Sequence, residues 1–196
     1  MLDLAFHSRV ARKETAHTLS LVQPHLRPDE AVLDIGCGEA YVTSELALRQ
    51  SGPVLAVDIV DCRRRGTPHF ALYDGISLPF ADASCDVALL AFVLHHVPNE
   101  DKPRVLAEVH RVVRRTLIVL EDTPENAIDR YLNRRHGERF RRSIGTTHGY
   151  GFFSTPAWQP IFEASGFRVA QIERASRFAR GWSQPYARTC FVLDRR

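Results

Sequence analysis

Short apolar runs alternate along the chain with segments of helical spacing. AVLDIG (31–36), PVLAVDIV (53–60) and TLIVLED (116–122) are apolar almost throughout and read as strands buried on both faces. HFALYD (69–74) is a weaker third strand, and CDVALLAFVLHHV (85–97) begins as a strand and leads into a loop. Between them, EAYVTSELALRQSG (39–52) places Val42, Leu46 and Ala47 on one side of a helix, with Gly52 past its end. EDKPRVLAEVHRVVR (100–114) sets Val105, Leu106, Val109, Val112 and Val113 at helical spacing. Residues 7–23 fit a helix more loosely, through Val10, Leu19, Leu21 and Val22, and Pro24 and Pro28 end it. In the tail, FSTPAWQPIFEASGF (153–167) predicts a helix and a turn at Gly166. FRVAQIERA and YARTCFVLD then predict two strands with GWSQP between them.

Strands that alternate with helices predict a parallel sheet covered on both faces. The expected fold is α/β: a three-layer, doubly wound, mostly parallel sheet with a closing antiparallel hairpin at the C-terminus. Ligands of such a sheet sit beyond the carboxyl ends of its strands, where the polar clusters of this chain fall.

Composition narrows the class. The 196 residues are 44% hydrophobic and 25% charged, which suits one globular domain with a sizeable core. No apolar run reaches the roughly 18 residues of a membrane span. The first residues, MLDLAFHSRVARKETAH, interrupt their apolar positions with charge, unlike a signal peptide. Cys37, Cys62, Cys85 and Cys190 form no CxxC pair, so reduced thiols in a cytoplasmic protein are expected and a structural zinc is not. The net charge of +3 is mild. Only Lys13 and Lys102 are lysines, so the arginine excess reads as compositional bias and not as evidence for phosphate binding.

The stretch VLDIGCGEAYVT (32–43) carries the first chemistry. A strand running into Gly36 and Gly38 and then a helix presents backbone N–H groups and a positive helix end to a ligand. Dinucleotides and S-adenosylmethionine both use this device. The dinucleotide pattern GxGxxG needs a third glycine where this chain has Tyr41, and Asp34 before the first glycine suits a ligand with a cationic amino-acid end. Asp58, ending the second strand, is placed to accept hydrogen bonds from ribose hydroxyls in either case. Asp61 reads as a solvated turn acid.

Asp34-Ile-Gly36-Cys37-Gly38-Glu-Ala40 resembles motif I, (D/E)xGxGxG, of the class I S-adenosylmethionine-dependent methyltransferases, with Ala40 replacing the last glycine. LYDGISLPF, Asp86 and LHHV are similar to the small-molecule branch that includes quinone-pathway enzymes. The resemblance covers 31–120 by motif and most of the chain by its Rossmann-like fold. It implies S-adenosyl-L-methionine as cofactor, held by Asp34 and by the backbone of Gly36, Cys37 and Gly38. Asp58 and Ile59 would take the ribose, Asp74, Gly75 and Ile76 the adenine, and Ala91 and Phe92 would complete the wall. It also implies a division of one domain, 1–196, into an N-terminal helical cap (1–30), a cofactor-binding core (31–122), an acceptor-site or lid insertion (123–160) and closing strands (161–196).

Methyl transfer requires a positioned acceptor, exclusion of water and, for some acceptors, removal of a proton. His95 and His96 stand at the end of the fourth strand and are the candidate bases. Glu121 and Asp122, ending the fifth, are candidates to hold an acceptor amine or hydroxyl, or to cap the next helix. The segment RYLNRRHGERFRRSIGTTHGYGFF (130–153) has six arginines, His136, His148 and several aromatics. It is open to three readings: a pocket for an acidic or aromatic small molecule, a nucleic-acid surface, or a solvated helix face with a lid hinged at Gly145, Gly149 and Gly151. No ligand spacing supports a metal at His136 and His148. The expected activity is methyl transfer to a small molecule. The alternatives are an RNA or protein methyltransferase using the arginine segment 130–142, a non-catalytic scaffold of the same fold, and a NAD-dependent oxidoreductase, against which Tyr41 speaks. Trp158 and Phe162 are expected in the core.

Overall fold

The computed structural model describes residues 4–144, 151–175 and 187–196. Seven strands form one sheet in the order β3-β2-β1-β4-β5-β7-β6. They are β1 (Val32–Ile35), β2 (Val54–Asp58), β3 (His69–Leu72), β4 (Cys85–Ala91), β5 (Val113–Asp122), β6 (Phe167–Ala175) and β7 (Arg188–Arg195). The first five pair in parallel, while β7 runs antiparallel between β5 and β6. The helices are α1 (Leu4–Val22), α2 (Tyr41–Ala47), α3 (Lys102–Val112), α4 (Ala127–Ile144) and α5 (Thr155–Ala164). The doubly wound sheet and the closing antiparallel strands therefore form as the pattern predicts, and GWSQP lies outside the described residues.

Side chains alternate across a strand, and β1 shows what this does. Leu33 and Ile35 face one layer, packing with Val105, Leu106, Val109, Trp158 and Phe162 of α3 and α5. Val32 faces the other, with Leu19, Leu21 and Val22 of α1 and Leu46 of α2. Asp34 shares the parity of Val32 and so turns toward α2. Trp158 and Phe162 are fully buried and stack at 5.4 Å between centroids, as core residues.

Two differences from the sequence reading have plain causes. β5 starts at Val113, directly after α3, because Arg114 and Arg115 find partners at the strand's entrance, Asp86 at 3.0 Å and Glu30 at 2.7 Å. These arginines interrupt the apolar run and hid the strand's first turn. Residues 127–144 form a helix, although no apolar stripe announces one. The strand order reverses between β1 and β4, and the crevice outside their carboxyl ends is the expected ligand position of such a sheet.

Candidate functional site

The turn after β1 is built for close approach. Gly36 and Gly38 have φ of +72° and +54°, the left-handed region that suits glycine. The N–H groups of Gly36 and Cys37 both donate to the Val57 carbonyl, at 2.8 and 3.2 Å, tying the turn to β2. A Cβ at Gly36 would lie 2.6 Å from Val93 Cγ2, so protein packing alone excludes a side chain there. Gly38 differs, since a Cβ there meets no atom of the described residues within 4 Å. The space beside Gly38 is open, and the missing side chain leaves room for something other than the protein. Ala40 also has positive φ, +63°, and is fully buried.

Carboxylates ring this turn. Asp34 is buried, and its Oδ2 accepts the Thr43 hydroxyl of α2 at 2.5 Å. Burial pushes its pKa up to about 6, against the lowering effect of the Thr43 hydrogen bond and with a smaller push from the Asp58 charge. Asp58 Oδ2 accepts the Gly38 N–H at 2.7 Å, and Oδ1 accepts the Ile59 N–H at 2.7 Å. Cys37 takes part through its backbone. Burial, with the Asp34 and Asp58 charges beside it, pushes its thiol up to about 12 and keeps it neutral.

Asp74 is exposed and closes a turn by accepting the N–H groups of Ile76 (2.8 Å) and Ser77 (2.6 Å), which hold its pKa below the usual carboxylate value. Gly75 has φ of +89°, and a Cβ there would come 3.3 Å from Ile59 Cγ2. The turns after β2 and β3 therefore touch, and Ile59 stands 61% exposed at their meeting point. Asp34, Gly36, Cys37, Gly38, Asp58 and Ile59 thus come together at the ends of β1 and β2, with Gly75 joining them. Ala91 and Phe92 end the neighbouring β4, where Phe92 adopts φ of +61° and donates its N–H to Leu120 at 2.8 Å.

The histidines occupy a short 3-10 turn after β4, Leu94–His96. His95 is buried, with Nδ1 2.6 Å from Glu121 Oε2, and the second Glu121 oxygen accepts the Leu94 N–H at 2.7 Å. Phe152 stacks on the His95 ring at 4.9 Å, and the Gly151 N–H donates to the His95 carbonyl at 3.0 Å. His96 is exposed beside it, ring centroids 4.1 Å apart. Lys102 is fully buried nearby, donating to the Val97 carbonyl and Asn99 Oδ1 at 2.7 Å each, and burial lowers its pKa.

Asp122 has a partner that the sequence reading missed. Arg188, the first residue of β7 and the register partner of Asp122, donates through Nε to Asp122 Oδ1 at 2.7 Å and also pairs with Glu14 of α1. Its guanidinium lies 3.9 Å above the Phe92 ring. The side chain of Asp122 is thereby turned to Arg188, and α1 is fastened to the carboxyl end of the sheet. Arginine bias in the composition concealed Arg188, since one arginine before an apolar strand carries no signal among so many.

The described part of the arginine segment is a helix with Arg130, Arg134 and Arg135 exposed. Arg134 pairs with Glu138 at 3.1 Å, and Arg135 donates to the Tyr131 hydroxyl. Gly145, His148 and Gly149 lie outside the described residues, as does the His136 side chain. Among the described residues no group of three or more potential ligands could hold a metal, and no helix is long and apolar enough to cross a membrane.

Known proteins share a domain and a fold with this chain. Residues 33–119 match the family model described as "Methyltransferase domain". The fold is that of a solved S-adenosylmethionine-dependent methyltransferase from Methanosarcina mazei, at TM-score 0.70 and 19% identity, covering 89% of this chain and 96% of that one. Residues 33–119 thus match a methyltransferase domain, and the fold around them is like that of the solved S-adenosylmethionine-dependent methyltransferase. Among curated relatives, a demethylmenaquinone methyltransferase of Symbiobacterium thermophilum is 29% identical over 52% of this chain and 45% of its own length. A ubiquinone/menaquinone biosynthesis C-methyltransferase of Teredinibacter turnerae is 30% identical over 53% of this chain and 47% of its own. The chain spans less than half the length of the curated relatives it matches.

Proposed function

We propose that this chain binds S-adenosyl-L-methionine at the carboxyl ends of β1, β2 and β3 and transfers its methyl group to a small aromatic acceptor. The observation that carries this reading is the 2.7 Å bond from the Gly38 N–H to Asp58, which makes one site of the glycine turn and the acid on the next strand. The open space beside Gly38 and the buried carboxylate of Asp34 fit a ligand with a cationic amino-acid end and a ribose. Asp34 and the backbone of Gly36, Cys37 and Gly38 hold that end. Asp58 and Ile59 take the ribose, Asp74, Gly75 and Ile76 the adenine, and Ala91 and Phe92 close the wall. When bound, the cofactor supplies an electrophilic methyl on a sulfonium.

The chain's own task is to place the acceptor in line, exclude water and receive a proton. His95 is the proton acceptor of this reading, oriented by Glu121 as a base is by a third group, with His96 on the open side. Phe152 stacks on the His95 ring, and Phe92, under the Arg188 guanidinium, follows the same strand. Asp122 and Arg188 serve as a support joining α1 to the strand ends; an acidic acceptor is less favoured because two carboxylates already engage that guanidinium. The quinone-pathway names of the relatives support a small-molecule acceptor, and the four free cysteines support a reducing, cytoplasmic location. The division into cap (1–30), core (31–122), acceptor insertion (123–160) and closing strands (161–196) follows from the same reading.

The test is thermal unfolding with S-adenosylmethionine, S-adenosylhomocysteine or NAD in separate samples. A ligand at about 100 times its dissociation constant stabilises by roughly 2.7 kcal/mol, a rise of a few degrees for a domain of this size. A rise with the two adenosyl compounds alone supports the reading. A rise with none returns the scaffold alternative, and a rise with NAD alone returns the oxidoreductase.

A further inference from the structure

The first two turns of α4 reverse the usual arrangement of a surface helix. Ile128 and Tyr131 are 64% and 58% exposed, while Asp129 and Asn133, one turn apart on one face, are each 1% exposed. A helix that buries these two polar residues while Ile128 and Tyr131 face solvent is not packed for stability alone, because buried polar groups are costly unless matched. Asp129 is matched in part, since its Oδ2 accepts the Glu125 N–H at 3.2 Å. Asn133 is not. Among the described residues neither the Nδ2 nor the Oδ1 of its carboxamide has a hydrogen-bond partner, so exchanging the two atoms does not help. An amide buried with both ends unmet destabilises the free protein and calls for an explanation.

The placement of α4 supplies one. Only residues 123–126 separate it from the carboxyl end of β5, and two ties hold its entry there. The Thr155 N–H donates to Glu125 Oε1 at 2.9 Å. The Thr155 hydroxyl meets Thr189 Oγ1 at 2.9 Å, and that oxygen meets Thr123 Oγ1 at 2.7 Å. The buried polar face of α4 therefore starts at the same end of the sheet as His95, Phe92 and Arg188.

We propose that Asn133 is a specificity-determining residue of the acceptor site. Its carboxamide reads an acceptor carrying an N–H donor and a carbonyl side by side on one planar edge, as in a cyclic amide. The Nδ2 donates to the carbonyl and the Oδ1 accepts the ring N–H, the double pairing that satisfies both unmet atoms at once. Asp129 adds a polar neighbour one turn away. This rests on the methyltransferase reading above, and Asn133 deepens it by naming the acceptor class.

Thermal unfolding of wild type, Asn133→Leu and Asn133→Ala tests it, each with S-adenosylhomocysteine and then with 2-pyridone or N-methyl-2-pyridone added. 2-Pyridone carries the paired edge, and its N-methyl form lacks the donor. Three results are expected. Asn133→Leu melts a few degrees above wild type, because an unmet amide has become a buried apolar group of similar shape. Both variants keep the full S-adenosylhomocysteine shift. Wild type gains a further shift with 2-pyridone only, and both variants lose it, an affinity loss of at least tenfold. A lower melting point in both variants would show that the amide supports the fold, and overturns the proposal. So does an equal 2-pyridone shift in variant and wild type, or none in wild type. Loss of the S-adenosylhomocysteine shift in wild type itself would instead remove the methyltransferase reading, and the two failures are thus told apart.

Discussion

The backbone N–H of Gly38 donates to the carboxylate of Asp58 at 2.7 Å, joining the turn after β1 to the end of β2. One acid therefore fixes the shape of the turn and, in the proposed reading, offers its remaining lone pairs to the ribose. Asp58→Ala is expected to abolish the S-adenosylhomocysteine shift and to lower the melting point of the free protein as well. The lost bonds to Gly38 and Ile59 are each worth about 1–2 kcal/mol at a half-buried site. Asp58→Asn, which keeps one side-chain acceptor, should recover part of the stability and little of the ligand shift. A full shift in Asp58→Ala would place the ribose elsewhere.

Asp34 makes the site pH-sensitive. Its pKa is raised from 3.8 to about 6, chiefly by burial. The folded chain holds this proton more tightly than the unfolded chain, so the group's contribution is fully present below about pH 4. It is lost as pH rises from about 4 to about 6. At pH 7 ionised Asp34 costs roughly 3 kcal/mol of stability. Asp34→Asn keeps an oxygen for the Thr43 hydroxyl and removes that cost. It should melt well above wild type at pH 7 and close to it at pH 4.5. If the ionised form holds the ligand's ammonium, S-adenosylhomocysteine affinity rises up to tenfold per pH unit below about 6 and levels above it. Titration calorimetry across pH 5–7.5 reads this directly, and a flat profile would remove Asp34 from the ammonium site.

The apolar runs made the sheet legible. β1, β2, β4 and most of β5 are buried on both faces, and such strands have no other way to be written. The glycine turn was legible for a similar reason, because positive φ and close approach leave few residue choices at Gly36 and Gly38. What stayed hidden depends on pairing at a distance. Glu121 and Asp122 are adjacent in sequence and alike in charge, yet their partners diverge, His95 in one case and Arg188 in the other. Strand alternation sends neighbours to opposite faces, but only the fold says what waits on each. Arg188 meets Glu14 across 174 positions, a contact no local pattern announces. Asn133 was hidden among arginines whose number reflects composition more than chemistry.

Ala40 replaces the last glycine of the turn motif and keeps the glycine conformation, φ +63°, while fully buried. For an L-residue that conformation costs roughly 1–2 kcal/mol. Ala40→Gly removes the strain and gives up one buried methyl, worth about 0.8 kcal/mol. Glycine's added backbone entropy costs a further roughly 0.5–1 kcal/mol, and the expected net change is within about 1 kcal/mol of zero. Ala88, buried in the middle of β4 without positive φ, is the comparison. There the same change loses the methyl and adds backbone entropy, about 1.5 kcal/mol in all. Urea denaturation of both variants checks the contrast; equal losses would mean that the turn bears no strain at Ala40.

Glu121 decides which nitrogen of His95 carries the proton. As a carboxylate it accepts the Leu94 N–H through one oxygen and lies 2.6 Å from His95 Nδ1 through the other, an arrangement that favours the proton on Nδ1. In Glu121→Gln the oxygen must stay on the Leu94 N–H, because an amide NH2 there would oppose another donor. The NH2 then faces Nδ1, so Nδ1 accepts and the ring proton moves to Nε2. The variant is nearly isosteric, and fold and S-adenosylhomocysteine affinity should be retained. Turnover of an acceptor that must lose a proton should fall about 10²–10⁴-fold, the usual size of a general-base contribution. His96→Ala, on the exposed side, should lose less than Glu121→Gln and also spare cofactor affinity. Unchanged turnover in Glu121→Gln would make His95 a wall of the pocket and leave positioning alone to drive the transfer.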